Sequence, residues 1–266
     1  MEYLHFEYQM EIRYAEPVKR CYFTIKCIPR ETVRQHLLDK EISLLPETQY
    51  SFGEDSYHNK QIYGCVRTAH NKFIYHITGD VEILNTAYEE TAIEERIGIY
   101  RFPFGKCKPG EKLLEYYRSL DFSPYQSTYD KCVYLMHELH NAFSYVPAAT
   151  EVYTVAEEAW ELGKGVCQDY AHIYITLLRL AGIPARYVCG LIVGEGASHA
   201  WAEALCDGKW IGFDPTNDCL VLDNYIKLGD GRDASECAIN RGIMWGGGEQ
   251  TQTISVSVEK RIKQED

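Results

Sequence analysis

Apolar and polar positions divide this chain into two regions of different period. Over residues 3 to about 84, aromatic and β-branched residues fall in short runs such as Cys21-Tyr22-Phe23-Thr24-Ile25-Lys26-Cys27-Ile28 and Lys72-Phe73-Ile74-Tyr75-His76-Ile77. Turn-forming clusters punctuate them at Ala15-Glu16-Pro17, at 52–56, at His58-Asn59-Lys60 and at Thr78-Gly79-Asp80. Short strands with this punctuation predict an antiparallel, sandwich-like β domain. From Pro109 the period lengthens. Helices are predicted over 109–120 and 129–143, the second with Val133, Met136 and Leu139 along one stripe. Pro147 follows its end, because proline cannot continue the ladder. Thr154, with Glu157 three residues on, predicts a capping box for a third helix that ends near Leu162, with Gly163 as its break.

The next helix is predicted to begin at Cys167. Tyr170, Ala171, Tyr174, Ile175, Leu178 and Ala181 form its apolar stripe, and Gly182-Ile183-Pro184 stops it. Residues 186–193 are nearly all apolar and read as a strand covered on both faces. Two further strands, 198–206 and 209–213, are joined by the tight Asp207-Gly208 turn. Residues 250–258 alternate and read as one more strand. The expected class is α+β: a β-rich N-terminal domain over 1–84, a linker or insertion over 85–108, and helices packed on an antiparallel sheet over 109–266. The acidic residues of the insertion, Glu89-Glu90 and Glu94-Glu95, are expected on a solvated face.

Composition narrows the functions open to such a fold. Apolar residues make up 45% and charged residues 25%, as in ordinary globular proteins. No apolar run approaches the ~18 residues that span a bilayer. The opening Met1-Glu2-Tyr3-Leu4-His5 has neither a basic nor an apolar signal segment, so a cytoplasmic location is expected. A net charge of −12 argues against tracking nucleic-acid phosphates. None of the ten cysteines sits in a Cys-x-x-Cys pair, which predicts buried free thiols rather than a zinc ribbon or a disulfide framework.

Three short words carry chemistry. In Gly163-Lys164-Gly165-Val166-Cys167-Gln168-Asp169-Tyr170-Ala171-His172, the glycines lead into a helix and leave Cys167 at its N-terminus. Free amides and the positive end of the dipole there favour a thiolate and an oxyanion. In Ser198-His199-Ala200-Trp201-Ala202-Glu203, strand alternation puts His199, Trp201 and Glu203 on one face and the alanines on the other. The hairpin then returns Asp214, of Trp210-Ile211-Gly212-Phe213-Asp214-Pro215-Thr216, to the neighbourhood of His199. Cysteine, histidine and aspartate so arranged would form a nucleophile, its base and an orienter for that base. Other candidates are weaker. His137-Glu138-Leu139-His140 is one residue short of the zinc-protease word and lacks a third ligand. His172 is expected to point away from the thiol. Glu203 and Trp201 fit either a support behind the site or plain core. Gly246-Gly247-Gly248 lacks the lysine of a phosphate loop and reads as a turn.

These words, together with Gly182-Ile183-Pro184-Ala185-Arg186-Tyr187-Val188, resemble the transglutaminase-like superfamily, in particular its bacterial branch, often described as cysteine proteases. The likeness extends to the β-rich N-terminal region and to the tail through Gly231-Arg232-Asp233 and Gly246-Gly247-Gly248. It implies a papain-like core with Cys167 as nucleophile, His199 as general base and acid, and Asp214 as orienter, acting on a peptide or protein substrate without cofactor or metal. No Asp-x-Asp-x-Asp-Gly calcium loop is present, so a calcium requirement is not implied. A second oxyanion donor is not fixed by motif, and Trp160 and Tyr145 stand as candidates. Hydrolysis of peptide or amide bonds is the favoured reading. Transfer from glutamine side chains to amines and a non-catalytic binding module are the alternatives.

Overall fold

The computed structural model describes residues 2–261. In chain order the strands are β1 (Glu2–Ile25), β2 (Gln35–Leu45), β3 (Tyr50–Glu54), β4 (Lys60–Val66), β5 (His70–Ile83), β6 (Glu90–Thr91), β7 (Ser144–Tyr145), β8 (Lys164–Gly165), β9 (Ala185–Ile192), β10 (Gly194–Gly196), β11 (His199–Cys206), β12 (Lys209–Asp214), β13 (Cys219–Leu220), β14 (Tyr225–Gly231), β15 (Asn240–Gly246) and β16 (Gln250–Arg261). The helices are α1 (Glu94–Arg101), α2 (Glu111–Ser119), α3 (Thr128–Ala142), α4 (Ala156–Leu162) and α5 (Cys167–Leu180). No helix among the described residues is long and apolar enough to cross a membrane.

β1 organises the first sheet. Its N-terminal half lies between β5 and β16, and its C-terminal half lies between β4 and β15, all antiparallel. Leu4, Phe6, Tyr8, Met10 and Ile12 alternate along one buried face, as period-2 patterning requires. Two expected turns are in fact strand. Ala15-Glu16-Pro17 does not reverse the chain; β1 continues through it, and the pairing register with β5 shifts between Arg13 and Val18. Proline is tolerated there because an irregular stretch of ladder does not need its missing N–H. Thr78-Gly79-Asp80 lies within β5. A Cβ on Gly79 would come 2.3 Å from the Asp39 carbonyl oxygen, so that glycine serves a close strand approach.

The second sheet runs β13-β12-β11-β9-β14, with β6 on β12. β9 is buried almost throughout, as its apolar run predicts. The Asp207-Gly208 turn takes positive φ at both residues, 48° and 76°, the backbone that two-residue hairpins prefer. α5 is buried from Asp169 to Arg179. It shares a core with Ala200, Ala202, Ala204 and Cys206 of β11 and with Leu135, Met136 and Leu139 of α3. The two sheets are not separate bodies. Leu191, Ile226 and Leu228 of β9 and β14 join the core under β1 and β5. The expected final strand, β16, belongs to the N-terminal sheet.

Residues 85–108 depart from expectation in one respect. Glu89 is buried beside Arg34, and Glu90 lies against Arg186. They are not a solvated face but part of an ionic cluster between the sheets. Lys227 reaches Glu203 at 2.9 Å and Asp230 at 2.8 Å, and Arg186 Nε donates to Glu203 at 2.6 Å. Opposite charges are buried together because either sign alone would lose its hydration uncompensated.

Candidate active site

Cys167 is the first residue of α5, half-buried, with extended Val166 as its cap. The helix start is fixed from inside. Asp169 is fully buried, and its Oδ2 accepts the Val166 N–H at 2.8 Å and the Thr150 hydroxyl at 2.6 Å. Burial raises the Asp169 pKa, and those two hydrogen bonds oppose the rise. Upstream, Gly163 ends α4 with φ +67°, a left-handed residue that redirects the chain toward Cys167. The cap of α4 differs from expectation. Val155 is the cap and donates its N–H to Glu158. Thr154 instead accepts the Glu151 N–H, and Glu157 reaches across to the amides of Gly110, Lys112 and Leu113 at the start of α2. A carboxylate there meets the free amides and positive end of another helix.

His199 opens β11 and Asp214 closes β12, so the hairpin brings the two side chains together. His199 Nε2 lies 2.7 Å from Asp214 Oδ2. Burial disfavours the charged ring, but hydrogen bonds to Asp214 and to Cys167 outweigh it and push the His199 pKa up to about 10. With Nε2 engaged by the carboxylate, Nδ1 is the nitrogen left to the thiol. Asp214 is fully buried and richly bonded. It accepts the N–H groups of Thr216 and Asn217, the Asn217 amide at 2.7 Å and the Tyr225 hydroxyl at 2.9 Å. Burial alone would raise the Asp214 pKa; His199, Asn217 and Tyr225 hold it below the usual value. All three residues singled out from the sequence therefore belong to one connected cluster.

The remaining candidates sort by contact. His172 is buried, accepts the Ala234 N–H at 3.1 Å and lies against the Tyr187 ring. Burial, aided by the nearby Lys106 and Arg179 cations, lowers its pKa to about 3, so it is a neutral core residue. Trp201 is buried against Val188, Val221 and Tyr225, with its ring centroid 6.3 Å from that of His199. A Cβ on Gly190 would strike it at 2.2 Å. Glu203 belongs to the ionic cluster. Trp160 packs against Tyr116 and Phe143. Tyr145 lies on β7, paired in parallel with Gly165 of β8. Its side chain is largely exposed, and partial burial raises its phenol pKa.

His137 and His140 do not converge on a metal position. His137 pairs with Asp218, and His140 Nδ1 lies 3.2 Å from the Pro215 carbonyl. Both brace the loop that follows Asp214 from α3. No group of three or more metal-binding side chains occurs among the described residues. The ten cysteines are free thiols, seven of them buried. Sequence reasoning missed the supports at Asp169, Thr150, Asn217 and Tyr225. Only Asp169, three residues beyond the cap, carried a local signal.

Comparison with known proteins matches residues 120–215 to the transglutaminase-like superfamily core and residues 4–82 to the bacterial transglutaminase-like N-terminal region. An uncharacterized protein of Mycobacterium leprae is 39% identical over 126 residues, 44% of this chain and 45% of its own length. An uncharacterized protein of Mycobacterium tuberculosis is 27% identical over 95% of this chain and 90% of its own length. A protein-glutamine gamma-glutamyltransferase of Pseudomonas aeruginosa is 34% identical over 92 residues, 29% of this chain and 14% of its own length. The solved structure of a candidate cysteine protease from Cytophaga hutchinsonii has the same fold, with TM-score 0.79 at 23% identity over all of this chain and 93% of that one.

Proposed function

Starting from a chain that is a transglutaminase-like superfamily protein with the bacterial N-terminal region, we propose that it forms a thioester with an acyl donor at Cys167 and hydrolyses it, cleaving a peptide or amide bond. The observation that carries this reading is the His199–Asp214 contact of 2.7 Å on a ring also bonded to Cys167, at the N-terminus of α5. His199 takes the thiol proton. The sulfur attacks the carbonyl carbon, and the C–S bond forms as the carbonyl electrons move to oxygen. The Cys167 N–H, free of ladder bonding at the first helical position, would donate to that oxyanion. As the C–N bond breaks, the imidazolium gives its proton to the leaving amine. Water then attacks the thioester, His199 takes its proton, and the carboxylic acid departs with the thiol restored. Asp214 holds the ring orientation and stabilises its charged form.

A second reading, capture of the thioester by an amine, is favoured by the likeness to the Pseudomonas aeruginosa protein-glutamine gamma-glutamyltransferase. The acylation half is identical, and only the second nucleophile differs. A glutaminyl peptide offered with a fluorescent amine separates them. Ammonia leaves in either case; the proposal expects free carboxylate to exceed amine incorporation, and Cys167→Ala to abolish both while the protein stays folded. Incorporation exceeding hydrolysis overturns hydrolysis in favour of transfer. Turnover that survives Cys167→Ala overturns both.

A further inference from the structure

A cleft of about 410 Å³ opens beside the proposed nucleophile, between the two sheets. Gln168, the residue after Cys167, and Ser198, the residue before His199, line one side. Gln252 and Ile254 of β16 and Tyr8 of β1 line the other. Its volume falls in the range of small-ligand sites.

The charge of the cleft is unlike that of the chain. Acidic residues outnumber basic ones by 39 to 27 overall, yet no carboxylate lines the cleft, and Lys106 does. The Lys106 ammonium donates to the Val152 carbonyl, the same oxygen that Gln168 Nε2 approaches at 3.4 Å. Lys106 is thus one acceptor away from the residue next to Cys167. An ammonium has three donors, and Val152 occupies one. The nearby acids are committed elsewhere: Asp233 accepts from the Lys106 N–H and from Ser235, and Asp169 caps α5. A second, independent feature points to a ligand. The Tyr8 side chain is fully buried, and its hydroxyl has no hydrogen-bond partner among the described residues. A buried donor left unpaired costs stability unless something fills the place.

We propose that this cleft binds the acyl-donor segment and selects one that carries a carboxylate, with Lys106 as its cation and the Tyr8 hydroxyl as a further donor. This rests on the acyl-transfer reading above but is tested apart from it. The β16 side chains then act as one wall of the substrate site, which gives the N-terminal sheet a part in specificity.

Binding is measured by fluorescence anisotropy on Cys167→Ala, where turnover plays no part. The probes are three labelled glutaminyl peptides, flanked on both sides by glutamate, glutamine or lysine. The glutamate peptide is expected to bind about tenfold tighter than the glutamine one, the worth of one charge-assisted contact. Adding Lys106→Gln should erase that preference. Tyr8→Phe should raise the melting temperature of the free protein, because it removes an unpaired hydroxyl, and yet weaken the glutamate peptide severalfold. Equal affinity for the three peptides, no binding of any, or a preference that survives Lys106→Gln overturns the proposal. Selective binding without turnover by the wild type upholds this site and overturns the acyl-transfer reading alone. Turnover indifferent to flanking charge does the reverse.

Discussion

The Asp169 carboxylate occupies the space a side chain at residue 165 would need: a Cβ on Gly165 would lie 2.4 Å from Asp169 Oδ2. The glycine two residues before Cys167 and the aspartate two residues after it are therefore one device, with the carboxylate folding back over the glycine to hold the Val166 amide. Gly165→Ala is expected to push Asp169 off that amide, at an overpacking cost of about 1–3 kcal/mol. Activity per folded molecule should fall further than Thr150→Val makes it fall, since the latter removes one of two bonds to the same oxygen. Thermal melts and turnover on the same samples check both.

Tyr225→Phe tests the support beneath the orienter. The hydroxyl donates to Asp214 Oδ2, the same oxygen that faces His199. Its loss leaves Asp214 with the Asn217 and Thr216 donors but removes a bond to a charged acceptor, worth about 1.5 kcal/mol. kcat is expected to drop about tenfold, with little change in KM, in steady-state kinetics.

The pH dependence follows from the two shifted groups. His199 has a folded pKa raised to about 10, against ~6.5 when unfolded. Its contribution to stability is complete below the unfolded value and is lost as pH rises through about 10. Activity that needs the imidazolium as proton donor should fall over the same upper range. Asp214 is shifted down, so its contribution is present above the unfolded carboxylate value and is lost as pH falls through the lower folded one. A kcat/KM profile and melts across pH measure both limbs. A basic limb near 7 would contradict a ring whose charged form is held by Asp214 and Cys167 together.

Lys227→Met tests whether the buried ionic cluster is structural. Lys227 is 1% exposed and contacts both Glu203 oxygens and Asp230. Removing it leaves excess buried negative charge, and a cost of about 3–5 kcal/mol is expected. The surviving folded fraction should retain its turnover, because none of these groups touches Cys167, His199 or Asp214. Chemical denaturation with activity titration separates the two effects.

Much of the site was legible in the sequence because its geometry is local. Helix capping puts Cys167 at an end, strand alternation sends the alanines of β11 toward α5, and a two-residue turn brings Asp214 back to His199. What could not be read depends on partners far along the chain. Glu157 looks like a cap for its own helix and instead caps α2. Glu89 and Glu90 look solvated until Arg34 and Arg186 are folded against them. Pro17 looks like a turn because nothing local reveals that β1 is held on both edges by strands from elsewhere in the chain. Residues 250–258 read as a strand from their alternation, but the partner of β16, β1, lies at the opposite end of the sequence.

The most direct measurement is the rate of iodoacetamide alkylation at each cysteine, followed by peptide mass spectrometry at neutral pH. Cys65 and Cys219 are the controls, since they share the half-buried exposure of Cys167. Cys167 should be alkylated at least about tenfold faster than either, and His199→Ala should bring it down to their rate. Equal labelling of the three thiols, or a Cys167 rate indifferent to His199→Ala, would contradict an activated nucleophile at this position.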